Sequence, residues 1–276
     1  MRVCFRNQKR VKATFVGHDL NRISVFQIER YSALNEPKKP VDMSELVDRL
    51  RGVVQRIDEL APGNPSPVRL IAVSKTKPVE NILELYRAGQ RYFGENYVDE
   101  LESKANDPAI VEQCPDIRWH LIGHLQSNKV NRVLTRVPNL DCIQTVDTIE
   151  LATRLNTNLQ QQSKHLNILL QVNTSQEEQK YGVKPDQFLA VYEHIKNNCP
   201  QLMCHGLMTI GSMDNVNADD DSDFHVLVRC REELCEKFQL PVQGMDLSMG
   251  MSHDYARAIL AGSTFVRVGS LIFGSR

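Results

Sequence analysis

A lysine at the end of an apolar run is the first feature of this sequence that could do chemistry. If the run is a strand, Ile71, Val73 and Lys75 lie on one face, because side chains alternate along a strand. Inside a barrel, burial would lower the pKa of the Lys75 amine, and a neutral lysine is the nucleophile that forms Schiff bases. Spacing alone also allows Lys75 to extend into solvent or to pair with Glu95. Lys77 is a rival amine, which we predict to be exposed.

Two segments rich in serine and glycine, near the end of the chain, could bind an anion. The first is 248–252, which begins with Ser248, and the second contains Gly269 and Ser270. Barrels frequently bind phosphate between the loops that follow strands seven and eight, where backbone N–H groups are exposed. Ser248 and Ser270 can donate hydroxyl groups, and Gly269 permits close approach of the backbone. Taken alone, these segments are equally typical of ordinary turns.

The lysine and the anion site together favour a phosphate-bearing aldehyde as the ligand. Strands one and eight are neighbours in a closed barrel, so the Lys75 amine and the phosphate site would face the same small molecule. Pyridoxal 5'-phosphate satisfies both ends. Arg267 would then lie inside the barrel, within reach of the pyridine nitrogen, and its permanent charge opposes protonation there. This arrangement predicts restricted carbanion chemistry.

The elements that must position these groups alternate between strands and helices. The helical spacing of apolar residues after residue 41, with Ser44 as a possible N-cap, predicts an N-terminal helix. Eight short strands then alternate with amphipathic helices, which favours a single α/β domain, a (β/α)8 TIM-type barrel. A doubly wound sheet is the alternative, but no glycine-rich fingerprint follows the first strand. The predicted strands are 69–74, 92–94, 119–122, 142–146, 168–172, 204–209, 245–248 and 265–268.

Composition and charge exclude several classes of function. Among 276 residues, 33 basic and 34 acidic side chains give a net charge of −1, so no basic surface predicts nucleic-acid binding. No apolar run is long enough to predict a membrane span. The seven cysteines form no Cys-x-x-Cys pair, which favours a reducing compartment and predicts no metal site. We predict that residues 1–40 are a poorly ordered extension; their basic bias leaves a mitochondrial targeting role open.

Six segments of the barrel region, 41–276, are similar to the pyridoxal phosphate homeostasis proteins, one-domain relatives of the alanine racemase barrel. They span about residues 45–276. The matching segments are Ala72-Val73-Ser74-Lys75-Thr76-Lys77-Pro78, Phe93-Gly94-Glu95-Asn96-Tyr97, Trp119-His120-Leu121-Ile122-Gly123-His124-Leu125-Gln126, Gly206-Leu207-Met208-Thr209-Ile210-Gly211, Leu247-Ser248-Met249-Gly250-Met251-Ser252 and Val266-Arg267-Val268-Gly269-Ser270-Leu271-Ile272-Phe273-Gly274.

The resemblance implies a role for each site residue. It implies a Schiff base between the cofactor and Lys75, phosphate contacts at Ser248 and at the backbone of Gly269 and Ser270, and Arg267 at the ring nitrogen. It places Asn96 beside the ring.

The resemblance also implies a carrier that buffers or delivers the cofactor inside the cell to apoenzymes, without catalytic residues or established turnover. An amino-acid racemase on the same barrel is the main alternative, but racemisation needs a second base. A Schiff-base aldolase and a cofactor-free scaffold are the other two. We expect a monomer in the cytoplasm, with the mitochondrion as a second possible location.

Overall fold

The strands of the protein close into one parallel barrel. The computed structural model describes residues 43–62, 67–175, 177–212 and 220–275. Within them, eight strands pair in chain order, and the last pairs with the first. They are β1 (Arg69–Val73), β2 (Tyr92–Glu95), β3 (Arg118–Leu121), β4 (Leu140–Val146), β5 (Leu166–Gln171), β6 (Leu202–Met208), β7 (Asp246–Ser248) and β8 (Phe265–Val268).

Helices follow the strands and surround the barrel, as parallel strands with helical crossovers require. The helices are α1 (Met43–Leu60), α2 (Val79–Arg87), α3 (Val98–Ala105), α4 (Pro108–Gln113), α5 (Val130–Arg136), α6 (Ile149–Gln161), α7 (Phe188–Asn198), α8 (Ser222–Phe238), α9 (Tyr255–Leu260) and α10 (Ser270–Phe273). The first of them precedes the barrel. It packs Leu46, Leu50, Val53 and Ile57, which share one face, into the core.

Alternation along the strands separates two buried regions. Leu70 and Ala72 of β1 belong to the main core, between the barrel and its helices. Ile71, between them, is fully buried and lies opposite Arg267 of β8 in register. Both therefore point into the barrel, as does Val73 two residues farther along β1. The face predicted for the lysine segment is the interior face.

The sequence prediction of a (β/α)8 barrel with an N-terminal helix is confirmed. Each predicted strand overlaps the observed one to within about two residues at either end. The N-terminal helix begins at Met43, one residue before the predicted cap at Ser44. Helices α3 and α4 have eight and six residues, which is too short for a helical periodicity to be recognised in the sequence.

Two further predictions concern parts of the chain as a whole. The prediction for residues 1–40 lies outside the described residues. Among the residues that the structure describes, no helix is long and apolar enough to span a bilayer.

Candidate functional site

A cavity of about 710 Å³ opens at the carboxyl ends of the strands, where the sequence predicted a ligand site. Five of the six predicted site residues line it: Lys75, Asn96, Arg267, Gly269 and Ser270. They follow or end strands β1, β2 and β8, so the barrel brings together residues that are up to 195 positions apart. Ser248, the sixth, is not among the lining residues.

Lys75 follows β1 by two residues, and it is partly exposed in the wall of the cavity. The rival amine of Lys77 also lines the cavity, which differs from the exposed position that we predicted. Its Nζ donates hydrogen bonds to the carbonyl oxygens of Phe273 and Gly274, at 3.0 and 3.4 Å. These bonds tie Lys77 to the end of α10. The carboxylate of Glu95 pairs with Lys104, at 2.8 Å.

Asn96 follows β2 directly and lines the cavity at a point where two loops approach closely. A Cβ atom on Gly123 would lie 2.1 Å from the carbonyl oxygen of Asn96. Only glycine fits at position 123, because a real Cβ does not come this close to backbone. The close approach holds the backbone of Asn96 beside the cavity.

The ends of β7 and β8 form a cradle of small residues. The backbone N–H of Gly269 donates to Oγ of Ser252, at 3.2 Å, and both residues line the cavity together with Ser270. A Cβ on Gly269 would meet Val73 of β1 at 3.3 Å, so the glycine keeps the end of β8 against the end of β1. Gly250 has a φ of +90°, which permits the turn that brings Ser252 to the cavity.

The phosphate contact predicted at Ser248 stays a prediction, and the structure shows the surroundings of this serine. Its side chain is fully buried inside the barrel, and its Oγ donates to Oε1 of Gln144, at 2.7 Å. The same oxygen accepts a hydrogen bond from Nη1 of Arg267, at 2.8 Å. Ser248 ends β7 pointing inward, whereas Ser252 lies beyond the turn at Gly250 and reaches the cavity. Ser252, which the sequence analysis quoted but did not select, lines the cavity, whereas Ser248 does not.

Arg267 brings a buried positive charge to the cavity. Its side chain is only 3% exposed, and it is held by Ser248 on Nη1 and by the carbonyl oxygen of Thr209 on Nη2, at 2.8 Å each. Burial lowers the pKa of the Arg267 guanidinium to about 10. The group therefore stays cationic near neutral pH, and its two protein contacts fix the direction of its charge.

The support of Arg267 continues through the barrel interior. Gln144 accepts from Ser248 through Oε1, so its amide nitrogen faces Nδ1 of His120, at 2.9 Å. A carboxamide N–H can donate to Nδ1 only when that nitrogen carries no proton. Nε2 of His120 lies 3.2 Å from a carboxylate oxygen of Asp141. Burial lowers the pKa of His120 against the opposing effect of Asp141, which favours the neutral ring.

These contacts show which residues the sequence reasoning missed. Gln144 and His120 lie on the interior faces of β4 and β3, and a polar residue inside an apolar strand was the available signal. Within the described ranges, no group of three or more His, Cys, Asp or Glu side chains is arranged to hold a metal. His124 instead stacks on Tyr181, with 3.7 Å between the ring centroids.

Comparison with known proteins places this geometry in context. The model of the alanine racemase N-terminal domain matches residues 47–276. The chain is 47% identical over 235 residues to the pyridoxal phosphate homeostasis protein of Mus musculus, covering 82% of this chain and 85% of that protein. It is 44% identical over 232 residues to the protein of the same name from Schizosaccharomyces pombe, covering 83% and 91%.

A solved structure shares the barrel. PipY of Synechococcus elongatus, with PLP bound, is 33% identical and superimposes with a TM-score of 0.70 over 83% of this chain and 100% of that chain. The closed parallel barrel, the match over 47–276 and these identities agree with one another. This chain belongs to the alanine racemase N-terminal domain family and, within it, to the pyridoxal phosphate homeostasis proteins.

Proposed function

We propose that this protein binds pyridoxal 5'-phosphate through Lys75 and holds it for delivery to apoenzymes that depend on it. The observation that carries the proposal is the convergence of an amine, a buried cation and a small-residue cradle on one cavity. Lys75, Arg267 and Gly269 all line it. A relative of the same barrel, PipY, has been solved with PLP bound, which supports this choice of ligand.

The residues present fit the chemistry of this ligand. The Ser252 hydroxyl, which accepts from the Gly269 N–H, still has a proton to donate, and Gly269 brings no side chain that would fill the space, which suits a phosphate group. The cofactor supplies an aldehyde carbon, with which a neutral lysine amine condenses to a Schiff base and releases one water. Lys75 is the lysine whose place at the end of β1 suits this role, and Lys77 is tied to the carbonyl oxygens at the end of α10.

Arg267 restricts what the site can do. A guanidinium that stays charged, held by Ser248 and by Thr209, opposes protonation of a ring nitrogen placed beside it. Most enzymes that use this cofactor depend on that protonation to withdraw electrons. The arrangement therefore supports binding and release rather than turnover. Racemisation remains the alternative function, and it requires a second base on the face of the ligand opposite to Lys75.

Borohydride reduction tests the proposal, because it converts a Schiff base into a stable secondary amine. The protein is loaded with PLP, reduced and digested, and the modified peptide is located by mass spectrometry. We expect the label on Lys75 and its loss in Lys75→Ala, while Lys77→Ala, the matched control two residues away, retains it. A label on Lys77, or no label on the wild-type chain, would refute the assignment.

Turnover and delivery are tested on the same preparation. Incubation with L-alanine is followed by chiral analysis, and conversion above the Lys75→Ala blank would restore the racemase alternative. Delivery is tested by adding an apoenzyme that depends on PLP and measuring how fast its activity returns. Recovery no faster than with the same concentration of free PLP would count against a carrier.

We also propose a cytoplasmic, monomeric protein. The buried cysteines support the proposed compartment, because burial raises the pKa of Cys204 to about 12 and that of Cys230 to about 11. Such thiols are poorly reactive and suit a reducing compartment. Cell fractionation tests the location, including the mitochondrial alternative, and sedimentation of the purified chain tests the oligomeric state. Sedimentation as a dimer would overturn the proposed monomeric state. Recovery of the protein only in the mitochondrial fraction would overturn the proposed cytoplasmic location.

A further inference from the structure

The turn that carries Lys75 has an unfavourable backbone conformation. The N–H of Lys77 donates to the carbonyl oxygen of Ser74, at 3.0 Å, which closes a tight turn around Lys75 and Thr76. Thr76 has a φ of +64°, in the left-handed region. A turn with a positive φ at its third residue favours glycine or asparagine, and a β-branched residue there is a genuine outlier. Something outside the turn must hold it in this form.

Lys104 of α3 lies at the centre of the contacts that this turn receives from outside. Its Nζ donates to the carbonyl oxygen of Ser74 at 2.7 Å, to Oε1 of Glu95 at 2.8 Å and to Oε1 of Glu100 at 2.7 Å. Glu95 in turn accepts from the hydroxyl of Ser74, at 2.7 Å, and Glu100 accepts from the backbone N–H of Thr76. The three charged residues therefore contact the turn at its first residue and at its strained residue.

Burial makes this cluster of Lys104, Glu95 and Glu100 costly to keep for stability alone. Lys104 is 7% exposed and Glu95 is fully buried, and burial raises the pKa of Glu95 against the opposing effect of Lys104. Replacing buried ion pairs by apolar residues is often neutral or stabilising, so such a cluster is weak evidence for stability. What the cluster contacts is the backbone on either side of Lys75.

We propose that Lys104 is a positioning residue for Lys75. With Glu95 and Glu100, it holds the turn 74–77 in the left-handed form that points the Lys75 side chain into the cavity. This inference rests on the proposed role of Lys75. It goes beyond that role in assigning a function to three charged residues that do not line the cavity.

Removing the strain distinguishes this role from a merely structural one. Glycine adopts a φ of +64° without the cost that Thr76 meets, so Thr76→Gly gives a turn that needs no support from outside. If Lys104 acts on the turn, Lys104→Met should weaken PLP binding in the wild-type chain and should weaken it much less in the chain that also carries Thr76→Gly. If Lys104 acts only through general stability, its loss has the same effect on PLP binding in both backgrounds.

The experiment measures the dissociation constant of PLP in four proteins: wild type, Lys104→Met, Thr76→Gly and the double variant. We expect Lys104→Met to weaken binding about tenfold, the size that the strain of one left-handed residue predicts, and Thr76→Gly to restore it to within about twofold. Lys104→Arg should retain most of the affinity. Arg69→Met, which removes a half-buried pair with Asp246 at the other end of the barrel, is the matched control and should leave binding unchanged.

A second readout needs no cofactor. Lys75 in the ligand-free protein is acetylated by a limiting amount of reagent, and its rate is followed by mass spectrometry against that of an exposed lysine, Lys196. We expect Lys104→Met to change the rate at Lys75 at least threefold and to leave the rate at Lys196 unchanged. If Lys104→Met does not fold, Glu100→Gln, at a residue near the surface, replaces it, with an expected loss of about threefold in affinity.

The inference would be overturned if Lys104→Met weakened PLP binding equally with Thr76 and with Gly at position 76. It would also be overturned if Lys104→Met left both the dissociation constant of PLP and the acetylation rate of Lys75 unchanged. A wild-type chain that binds PLP without a label on Lys75 would instead refute the proposed function. The acetylation rate of the ligand-free protein would then still show whether Lys104 positions Lys75, so the two failures can be told apart.

Discussion

The two serines of the segment 248–252 should respond to the same substitution in opposite ways. Ser248→Ala removes a buried hydroxyl that accepts from the Arg267 guanidinium and donates to the Gln144 amide. A bond to a charged group contributes about 1.5–3 kcal/mol and a neutral one about 0.5–1.5 kcal/mol. The loss of both predicts that the ligand-free protein unfolds with about 2–4 kcal/mol less free energy. Ser252→Ala removes only a half-exposed acceptor for the N–H of Gly269 and should cost less than about 1 kcal/mol.

For PLP binding, the order of the two substitutions should be reversed, and Ser252→Ala should have the larger effect. Ser252 lines the cavity, so its loss should weaken PLP binding about tenfold, the size of one hydrogen bond to a charged phosphate. Ser248 does not line the cavity and acts on the ligand only through Arg267. Its loss should change the dissociation constant by less than that of Ser252.

The assay is chemical denaturation of the two ligand-free variants, followed by titration of each with PLP. For a chain of this size, the predicted loss at Ser248 corresponds to about 5–15 °C in melting temperature. The two serines share their substitution and lie four residues apart, so each is the control for the other. A stable Ser248→Ala with weakened binding, beside an unchanged Ser252→Ala, would show that the phosphate contact is at Ser248 after all.

Three further outcomes follow from the site. Gly269→Ala should lower the free energy of unfolding by about 1–3 kcal/mol and weaken PLP binding, because the added Cβ would meet Val73 at 3.3 Å. A variant with the melting temperature and PLP affinity of the wild type would contradict this. The free energy of unfolding should fall as the pH falls below 6.5, because burial lowers the pKa of His120 in the folded chain and the unfolded chain then binds one more proton. His120→Asn should make the free energy of unfolding less dependent on pH in this range. The same pH dependence in His120→Asn would show that His120 is not its cause. Arg267→Met should alter the absorbance spectrum of the PLP-loaded protein while the chain stays folded. A spectrum identical to that of the wild type would show that Arg267 does not lie beside the PLP ring.

The strands and the interior face of the barrel were predictable because their signals are local. In β1, strand alternation places Ile71, Val73 and Lys75 on one face, and spacing alone leaves open whether Lys75 extends into the barrel or into solvent. The order of the elements then limits the fold, since parallel strands need helical crossovers and closure makes β1 and β8 neighbours. Closure therefore predicts that Lys75, Arg267 and Gly269 face one cavity, which all three line.

The choice between Ser248 and Ser252 could not be made in the same way. Both serines lie near the end of β7, and which one reaches the cavity depends on the turn at Gly250, where φ is +90°. After this turn, both Met251 and Ser252 line the cavity. Sequence alone identifies the glycine but not the path of the chain after it.

Local pattern, in the end, determined the barrel, its interior face and the residues at its rim, because strand alternation and helical periodicity act between near neighbours in the chain. Only the tertiary structure decided which polar groups meet. The contact of Lys104 with Ser74 joins residues 30 positions apart, and that of Ser248 with Gln144 joins residues 104 positions apart. Such partners are selected by the closure of the barrel, and no spacing along the chain records them.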